Sequence, residues 1–227
     1  MLSVLVTLLL SAPLPGQDDA RFFTFATKPA NVSLHWQDKT GQHYGSLSNV
    51  VAALEKSGKK PVFAMNGGMY MENRRPVGLY IENGNPVTKL SRGASDGNFG
   101  WLPNGVFALR DDGTAVIADT TKFSSEKVRA ATQSGPLLLL EGVMHEGFTE
   151  DSKFTAIRNG VGILADGRVV FVMSKQPVTF HAFASYFQAL GCKNALYLDG
   201  NVSRLWWPDG GSRDSGGDFG VIIAVTQ

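Results

Sequence analysis

The sequence predicts an α+β fold, a single domain whose largely antiparallel sheet is built of hairpins and carries two main helices. Three observations point there. Four apolar runs fold back across short glycine-containing turns, the strongest local signal for a hairpin. Only two segments repeat their apolar residues at helical spacing. And 227 residues, 43% of them hydrophobic, can bury one substantial core, a length that favours one domain over two small ones.

The chain opens with MLSVLVTLLL, apolar apart from Ser3 and Thr7, and then turns small, proline-containing and acidic in SAPLPGQDDA. Residues 1–16 read as a signal peptide and residues 17–227 as the folded domain. No Lys or Arg precedes Arg21 and no A-x-A cleavage site is present, so a buried N-terminal strand is the alternative. The run is too short to span a bilayer as a helix and no later stretch matches it, so the expectation is an exported protein, secreted or periplasmic, without a transmembrane segment.

Strands are expected at Phe22 to Ala26, Val32 to Trp36 and Val62 to Met65. Between the last two, Leu47, Val50, Val51 and Leu54 predict a helix over Leu47 to Lys56 that Gly58 ends. The hairpins follow: VGLYIENGNPVTKL about Asn83-Gly84, VFALRDDGTAVIA about Asp112-Gly113, PLLLLEGVMHE about Glu141-Gly142, and GVGILADGRVVFVMS about Asp166-Gly167. Phe180, Phe183, Ala184 and Phe187 predict a second helix over Thr179 to Leu190, with Thr179 as N-cap and Gly191 closing it. Strands at Ala195 to Leu198 and Phe219 to Val225 complete the list. Pro208 to Gly220, rich in Gly, Asp and Ser, reads as an exposed, mobile loop; Asp209, Asp214 and Asp218 lack the spacing of a calcium loop.

A formal charge of +1, from 21 basic and 20 acidic residues, offers no field to draw DNA, RNA or an anionic bilayer, so no nucleic-acid partner is expected. The single cysteine, Cys192, excludes an intrachain disulfide and sits where packing is the natural role. G-x-S-x-G, H-E-x-x-H, P-loop and dinucleotide signatures are absent, and His35, His43, His145 and His181 show no metal-ligand spacing. His181, at a helix start, could face a cleft or be a partly buried packing residue.

What remains is a recurrent arrangement in which an apolar strand ends in a polar residue beside glycine: VFAMNGGMY at Asn66, ATQSGPLLL at Gln133-Ser134, and ALYLDGNVSRLW at Asp199. Glycine lets backbone amides approach a ligand, and a strand end holds a polar side chain rigidly. With GNFGW around Asn98, these ends would form one polar site if the strands are neighbours; each alone reads equally as a turn.

The blocks N-G-G-M-Y at Asn66 to Tyr70, P-V-G-L-Y-I-E-N-G from Pro76, G-N-F-G at Gly97 to Gly100, Q-S-G-P-L-L-L from Gln133, R-N-G-V-G-I-L-A-D-G-R-V from Arg158 and L-G-C-K-N-A-L-Y-L-D-G from Leu190 resemble, in order, those of the phosphodiester glycosidases. The resemblance spans roughly Pro61 to Val225. It implies hydrolysis between the anomeric carbon and the phosphate oxygen of a sugar-1-phosphodiester, with a carbohydrate or glycan phosphodiester as partner. One departure stands out: the family's L-D-G-G-x-S is here Leu198-Asp199-Gly200-Asn201-Val202-Ser203, followed by Arg204, which bears on the substrate more than on the reaction.

In that chemistry a carboxylate faces the positive charge that develops on the sugar ring, and Asp199 is the candidate. Phosphate leaves as a stable anion, so charge neutralisation replaces a general acid, and Arg158 is the candidate. Asn66, Asn98, Gln133, Ser134, Asn201 and Ser203 would orient sugar and phosphate, helped by the amides of Gly67, Gly68 and Gly135. The bland alternatives are a turn-forming Asp-Gly for Asp199 and a surface ion pair for Arg158. The mechanism requires no cofactor and leaves room for a divalent cation. Two other functions stay open: a metal-dependent phosphodiesterase, and a non-catalytic glycan or cell-envelope binding module in which Trp206-Trp207 stacks on sugar rings.

Overall fold

In the computed structural model, which describes residue 16 and residues 19–92, 97–199 and 202–227, the strands are β1 (Phe22–Thr27), β2 (Val32–His35), β3 (Pro61–Asn66), β4 (Tyr80–Glu82), β5 (Asn85–Thr88), β6 (Gly105–Arg110), β7 (Ala115–Asp119), β8 (Val128–Ser134), β9 (Leu137–Leu140), β10 (Val143–Met144), β11 (Asn159–Ile163), β12 (Val169–Ser174), β13 (Asn194–Asp199), β14 (Leu205–Trp207), β15 (Ser212–Arg213) and β16 (Ile222–Thr226). The helices are α1 (Leu47–Lys56) and α2 (Phe180–Ala189). Residues 1–15 of the expected signal peptide, and Asn201, lie outside the described residues.

Turn chemistry makes the hairpins. Asn83 and Gly84 both have positive φ, as do Glu141 and Gly142, the two-residue geometry whose twist suits antiparallel strands. At Asp112-Gly113 and Asp166-Gly167 only the glycine is left-handed. There the Asp carboxylate accepts the N–H two residues on, from Thr114 at 2.9 Å and Arg168 at 3.0 Å. The helices are capped as expected: Ser46 Oγ accepts from Asn49 N and Thr179 Oγ1 from Ala182 N, while Gly58 and Gly191 follow with positive φ.

All strand pairs are antiparallel. They form three sheets, ordered β1-β12-β11-β13-β9-β10, β15-β14-β3-β16-β2 and β5-β4-β8-β6-β7. Their inner faces share one core, and the alternation along each strand decides what faces it. On β12, Val169 and Phe171 point inward while Val170 and Val172 meet α2; on β3, Phe63 and Met65 point inward while Ala64 meets α1. Each helix thus covers the outer face of one sheet. Against α2 the sheet carries Gly160 and Gly162 on β11, because a Cβ at Gly162 would come within 2.7 Å of Cys192 Sγ and 2.8 Å of Phe187. Cys192 is buried in that contact, and burial pushes its thiol up to about 12, which leaves it unreactive.

The expectation of an exposed loop at Pro208 to Gly220 holds for most of the segment and fails at its ordered parts. The segment contains a 3₁₀ turn at Pro208–Gly210 and then β15, which pairs with β14; at its end Phe219 donates its N–H to Gly45 O at 2.7 Å and packs in the α1 cluster. Asp214 bonds Arg204 and Asp218 bonds Arg74, so these acids are tied to separate arginines. Trp206 and Trp207 belong to β14 and pack on the α1 cluster and the central core, with Trp207 edge-on to Phe25 at 5.3 Å. Among the described residues no helix is long and apolar enough to cross a membrane.

Candidate active site

Asp199 ends β13 opposite Asn159, the first residue of β11, at an irregularity in their pairing. Asn159 Oδ1 accepts the Asp199 N–H at 2.8 Å, and Asn159 Nδ2 donates to both O and Oδ1 of Asn66, at 2.9 and 3.0 Å. Asn66 Oδ1 also accepts from Arg204 N at 2.8 Å. Two donors on one oxygen settle which way the Asn66 amide faces. The result is a polar lock between strand ends of two sheets, with Asn66 1%, Asn159 0% and Asp199 8% exposed. Asn66 Nδ2 is buried without an acceptor in the protein, a cost of about 1–3 kcal/mol. Beyond Asp199 the chain is braced by Ser203, whose Oγ donates to Asp199 O at 2.7 Å and Ile157 O at 3.2 Å.

Arg158 directly precedes that lock and is 4% exposed. Its Nε donates to Val178 O at 2.9 Å and its Nη2 to Phe154 O at 3.2 Å; its Cζ lies 3.6 Å from the centroid of the Phe180 ring. Among the described residues the ion pairs join Arg21 to Asp19, Arg74 to Asp218, Arg168 to Asp166 and Arg204 to Asp214, and none includes Arg158. Burial lowers the affinity of the guanidinium for its proton, partly offset by the Tyr197 phenol, yet a guanidinium stays charged. A desolvated cation held by neutral carbonyls and an aromatic face is a receptor for an anion. The surface ion pair is thereby replaced as the alternative for this residue.

Two cavities of about 440 Å³ each meet these groups. Arg158, Tyr197, Phe180 and His181 line one, and Asp199, Tyr70, Met69 and Val202 the other. Gly97 and Asn98, which begin a 3₁₀ turn at Gly97–Gly100, line both and form the wall between them. Tyr70 is half-buried; burial first, and then the nearby charge of Asp199, pushes its phenol up to about 12, so it is a neutral hydrogen-bond donor beside the carboxylate at any working pH. Burial likewise raises Tyr197, with Arg158 pulling the other way.

The structure therefore brings Asp199, Arg158, Asn66, Asn98 and Ser203 to one region. Gln133, Ser134 and Gly67 have polar groups engaged within the protein. Gln133 is fully buried, its Oε1 accepting from Leu79 N at 2.9 Å and Ser91 N at 3.0 Å while Nε2 donates to Ser91 O at 2.7 Å. Ser134 Oγ donates to Leu198 O at 2.7 Å. The Gly67 N–H is engaged by Val221 O at 2.7 Å. A Cβ at Gly67, Gly68 or Gly135 would strike Val221, Thr132 or Asn104 respectively, so these glycines permit packing. Asn159, Tyr70 and Tyr197 join the site without having been singled out. Asn159 carried a signal: it shares the inward face of β11 with Val161, and a polar residue on a core-facing position needs a partner. Among the described residues no group of three or more His, Cys, Asp or Glu side chains is placed to hold a metal ion.

Comparison with known proteins bears on this geometry. The chain is 35% identical over 206 residues to uncharacterized protein YigE of Escherichia coli K12, covering 90% of this chain and 81% of that one. Its fold matches the zebrafish N-acetylglucosamine-1-phosphodiester α-N-acetylglucosaminidase catalytic domain, a structure auto-inhibited by its pro-peptide, with a TM-score of 0.63 at 14% identity over 96% of this chain and 87% of that one. A hypothetical protein from Synechocystis aligns with a TM-score of 0.54 at 15% identity, over 90% of this chain and 59% of that one. Residues 59–219 match the phosphodiester glycosidase family, and the chain belongs to that family.

Proposed function

We propose that the protein is an exported hydrolase that cleaves a sugar-1-phosphodiester between the anomeric carbon and the phosphate oxygen, releasing free sugar and a phosphomonoester. The observation that carries this reading is the pairing, across the Gly97-Asn98 wall, of a strand-end carboxylate with a buried guanidinium outside any described ion pair, in a chain of the phosphodiester glycosidase family. The sugar occupies the Asp199 cavity and the phosphate lies toward Arg158. As the anomeric C–O bond breaks, its electron pair leaves with the phosphate oxygen, whose charge Arg158 neutralises. Asp199 stabilises the cationic ring or attacks it, and water supplies hydroxyl to the sugar and a proton to the phosphate. Asn98 and the neutral Tyr70 phenol donate to substrate oxygens, while Asn159 and Asn66 hold Asp199 in place.

Incubation with a panel of hexosyl and N-acetylhexosaminyl phosphodiesters, products identified by mass spectrometry, tests this. Free sugar plus phosphomonoester supports the proposal; sugar phosphate as product sinks it in favour of P–O cleavage. Export rests on the composition of residues 1–16. Amino-terminal sequencing of protein recovered outside the cytoplasm should find the leader removed. The binding-module alternative keeps the altered residues after Asp199 in its favour, while Trp206 and Trp207, partly buried, pack on the core clusters.

A further inference from the structure

Hydrolysis at an anomeric carbon needs a base as well as a carboxylate beneath the ring. The water that adds to the carbon must shed a proton as its oxygen bonds there, and Asp199 is engaged with the ring itself. A group that takes up this proton has to lie on the sugar side and be unprotonated at neutral pH. Among the described residues lining the Asp199 cavity, the side chains that can titrate are Asp199, Tyr70 and Glu72. Tyr70 keeps its proton, since its phenol is pushed up to about 12. His181 lines the other cavity, with Arg158, on the side of the leaving phosphate. That leaves Glu72.

Glu72 sits in a tight turn. Met71 N donates to Arg75 O at 2.9 Å and Arg74 N to Met71 O at 2.7 Å, while Tyr70 and Pro76 pair across the base of the turn and Arg74 takes a left-handed φ of 62°. The turn is anchored to the rest of the domain through its neighbours. Trp36 Nε1 donates to Arg74 O at 2.7 Å, the Arg74 guanidinium bonds Asp218, and Tyr70 packs so closely on Gly220 that a Cβ there would come within 2.4 Å of the Tyr70 Cβ. These anchors use Arg74, Tyr70 and the backbone. The Glu72 carboxylate stays outside the described ion pairs, exposed to solvent at the cavity that Asp199 also lines. A carboxylate free of a cationic partner, carried on a braced turn beside the reacting carbon, suits proton transfer from a bound water.

We infer that Glu72 is a second catalytic carboxylate, the general base that activates the hydrolytic water. The inference rests on the proposed glycosidase reading. The water oxygen bonds to the anomeric carbon, one of its protons passes to the Glu72 carboxylate, and the bond from that carbon to its leaving oxygen breaks with the electron pair on the oxygen. Glu72 then returns the proton to the phosphomonoester by way of solvent. The test uses the full chain and whichever hexosyl or N-acetylhexosaminyl methyl phosphodiester the parent turns over fastest. Glu72→Gln keeps the size of the side chain but cannot take up the proton, so kcat should fall by about 10²-fold or more while KM stays within about twofold and the melting temperature is unchanged. In Glu72→Ala, azide, a nucleophile with no proton to lose, should raise turnover at least about tenfold and appear in the product as glycosyl azide, without stimulating the parent.

A kcat for Glu72→Gln within about threefold of the parent, or a loss confined to KM, overturns the assignment of Glu72 and leaves the glycosidase standing. A loss of kcat in both variants that azide does not restore overturns it too, and makes Glu72 a group that positions the sugar. Free sugar from none of the esters with the parent protein overturns the glycosidase reading and this inference with it.

Discussion

β13 and β8 end alike, in an apolar run closed by polar residues beside a glycine, yet their side chains are put to different use. Asp199 at the end of β13 has its N–H held by Asn159 and borders a cavity. Gln133 at the end of β8 turns into the protein and bonds three backbone groups, at Leu79 and on both sides of Ser91. The same local pattern thus marks a place where a sheet hands a polar side chain to something outside itself. Whether that is a ligand or the protein's own loop depends on which elements the fold stacks over the strand end.

The comparison breaks most visibly at Asp199. Asp199→Asn keeps the shape and the N–H bond to Asn159 but removes the charge that, on the proposed mechanism, faces the developing oxocarbenium ion. Turnover should fall by at least about 10³-fold, on the order of 4 kcal/mol in the barrier, with little change in melting temperature. If the variant retained most of its turnover in steady-state assay, Asp199 would belong with Gln133 on the folding side.

Gln133→Ala should do the converse. It strands two buried N–H donors and a carbonyl, for about 2–4 kcal/mol of stability, which for a chain of this size is about 5–15 °C in melting temperature. Thermal denaturation followed by circular dichroism measures the loss, and turnover per folded molecule at low temperature should stay within about twofold of the parent. A large loss of turnover without loss of stability would move Gln133 to the substrate.

Arg158→Lys asks whether the buried cation acts by charge alone or by its shape. Lysine keeps the charge but loses the planar fork, the Nε bond to Val178 O and the stacking on Phe180. We expect kcat/KM to fall by about 10²-fold, more through phosphate recognition than through stability. Inorganic phosphate or a phosphomonoester product should inhibit the parent enzyme, with that inhibition weakened in parallel.

How far these roles could be read beforehand follows from how local their causes are. α1 over Leu47–Lys56 and the hairpins about Asn83-Gly84, Asp112-Gly113, Glu141-Gly142 and Asp166-Gly167 were legible because each rests on residues within a few positions of one another. Asp199 and Arg158 were singled out through motif resemblance, and both line cavities that share Gly97 and Asn98. The lock was not, since Asn159 lies 93 residues from Asn66 and 40 from Asp199. Gln133 and Asp199 could not be told apart because the loop at Ser91 that occupies Gln133 comes from elsewhere in the chain. Trp206 and Trp207 could be read either as a sugar-stacking pair or as packing residues, and the pairing of β15 with β14, which sets them partly buried against the core clusters, lies outside their local sequence.

A third polar strand end sharpens the contrast at smaller amplitude. His35 closes β2 in the same cross-sheet row as Asn66, both opposite Ile222 of β16. Its Nε2 is 2.8 Å from Ser33 Oγ, and burial, aided by Lys59, holds the ring down to about 4. The folded-state value lies below the unfolded value of 6.5, so the unfolded chain takes up the proton first as pH falls. Stability from this group is complete above pH 6.5, declines between 6.5 and about 4, and is flat below, a loss on the order of 3 kcal/mol. Urea denaturation at intervals across that range should show the decline, and His35→Gln should remove that share of the slope while the carboxylates keep theirs. On the proposed mechanism, in which Asp199 and Arg158 act on the substrate, turnover of the folded protein should not follow the His35 step. Should activity per folded molecule track it instead, the row from His35 to Asn66 would be carrying charge to the site, and the division between strand ends that fold and strand ends that react would need to be redrawn at Asn66.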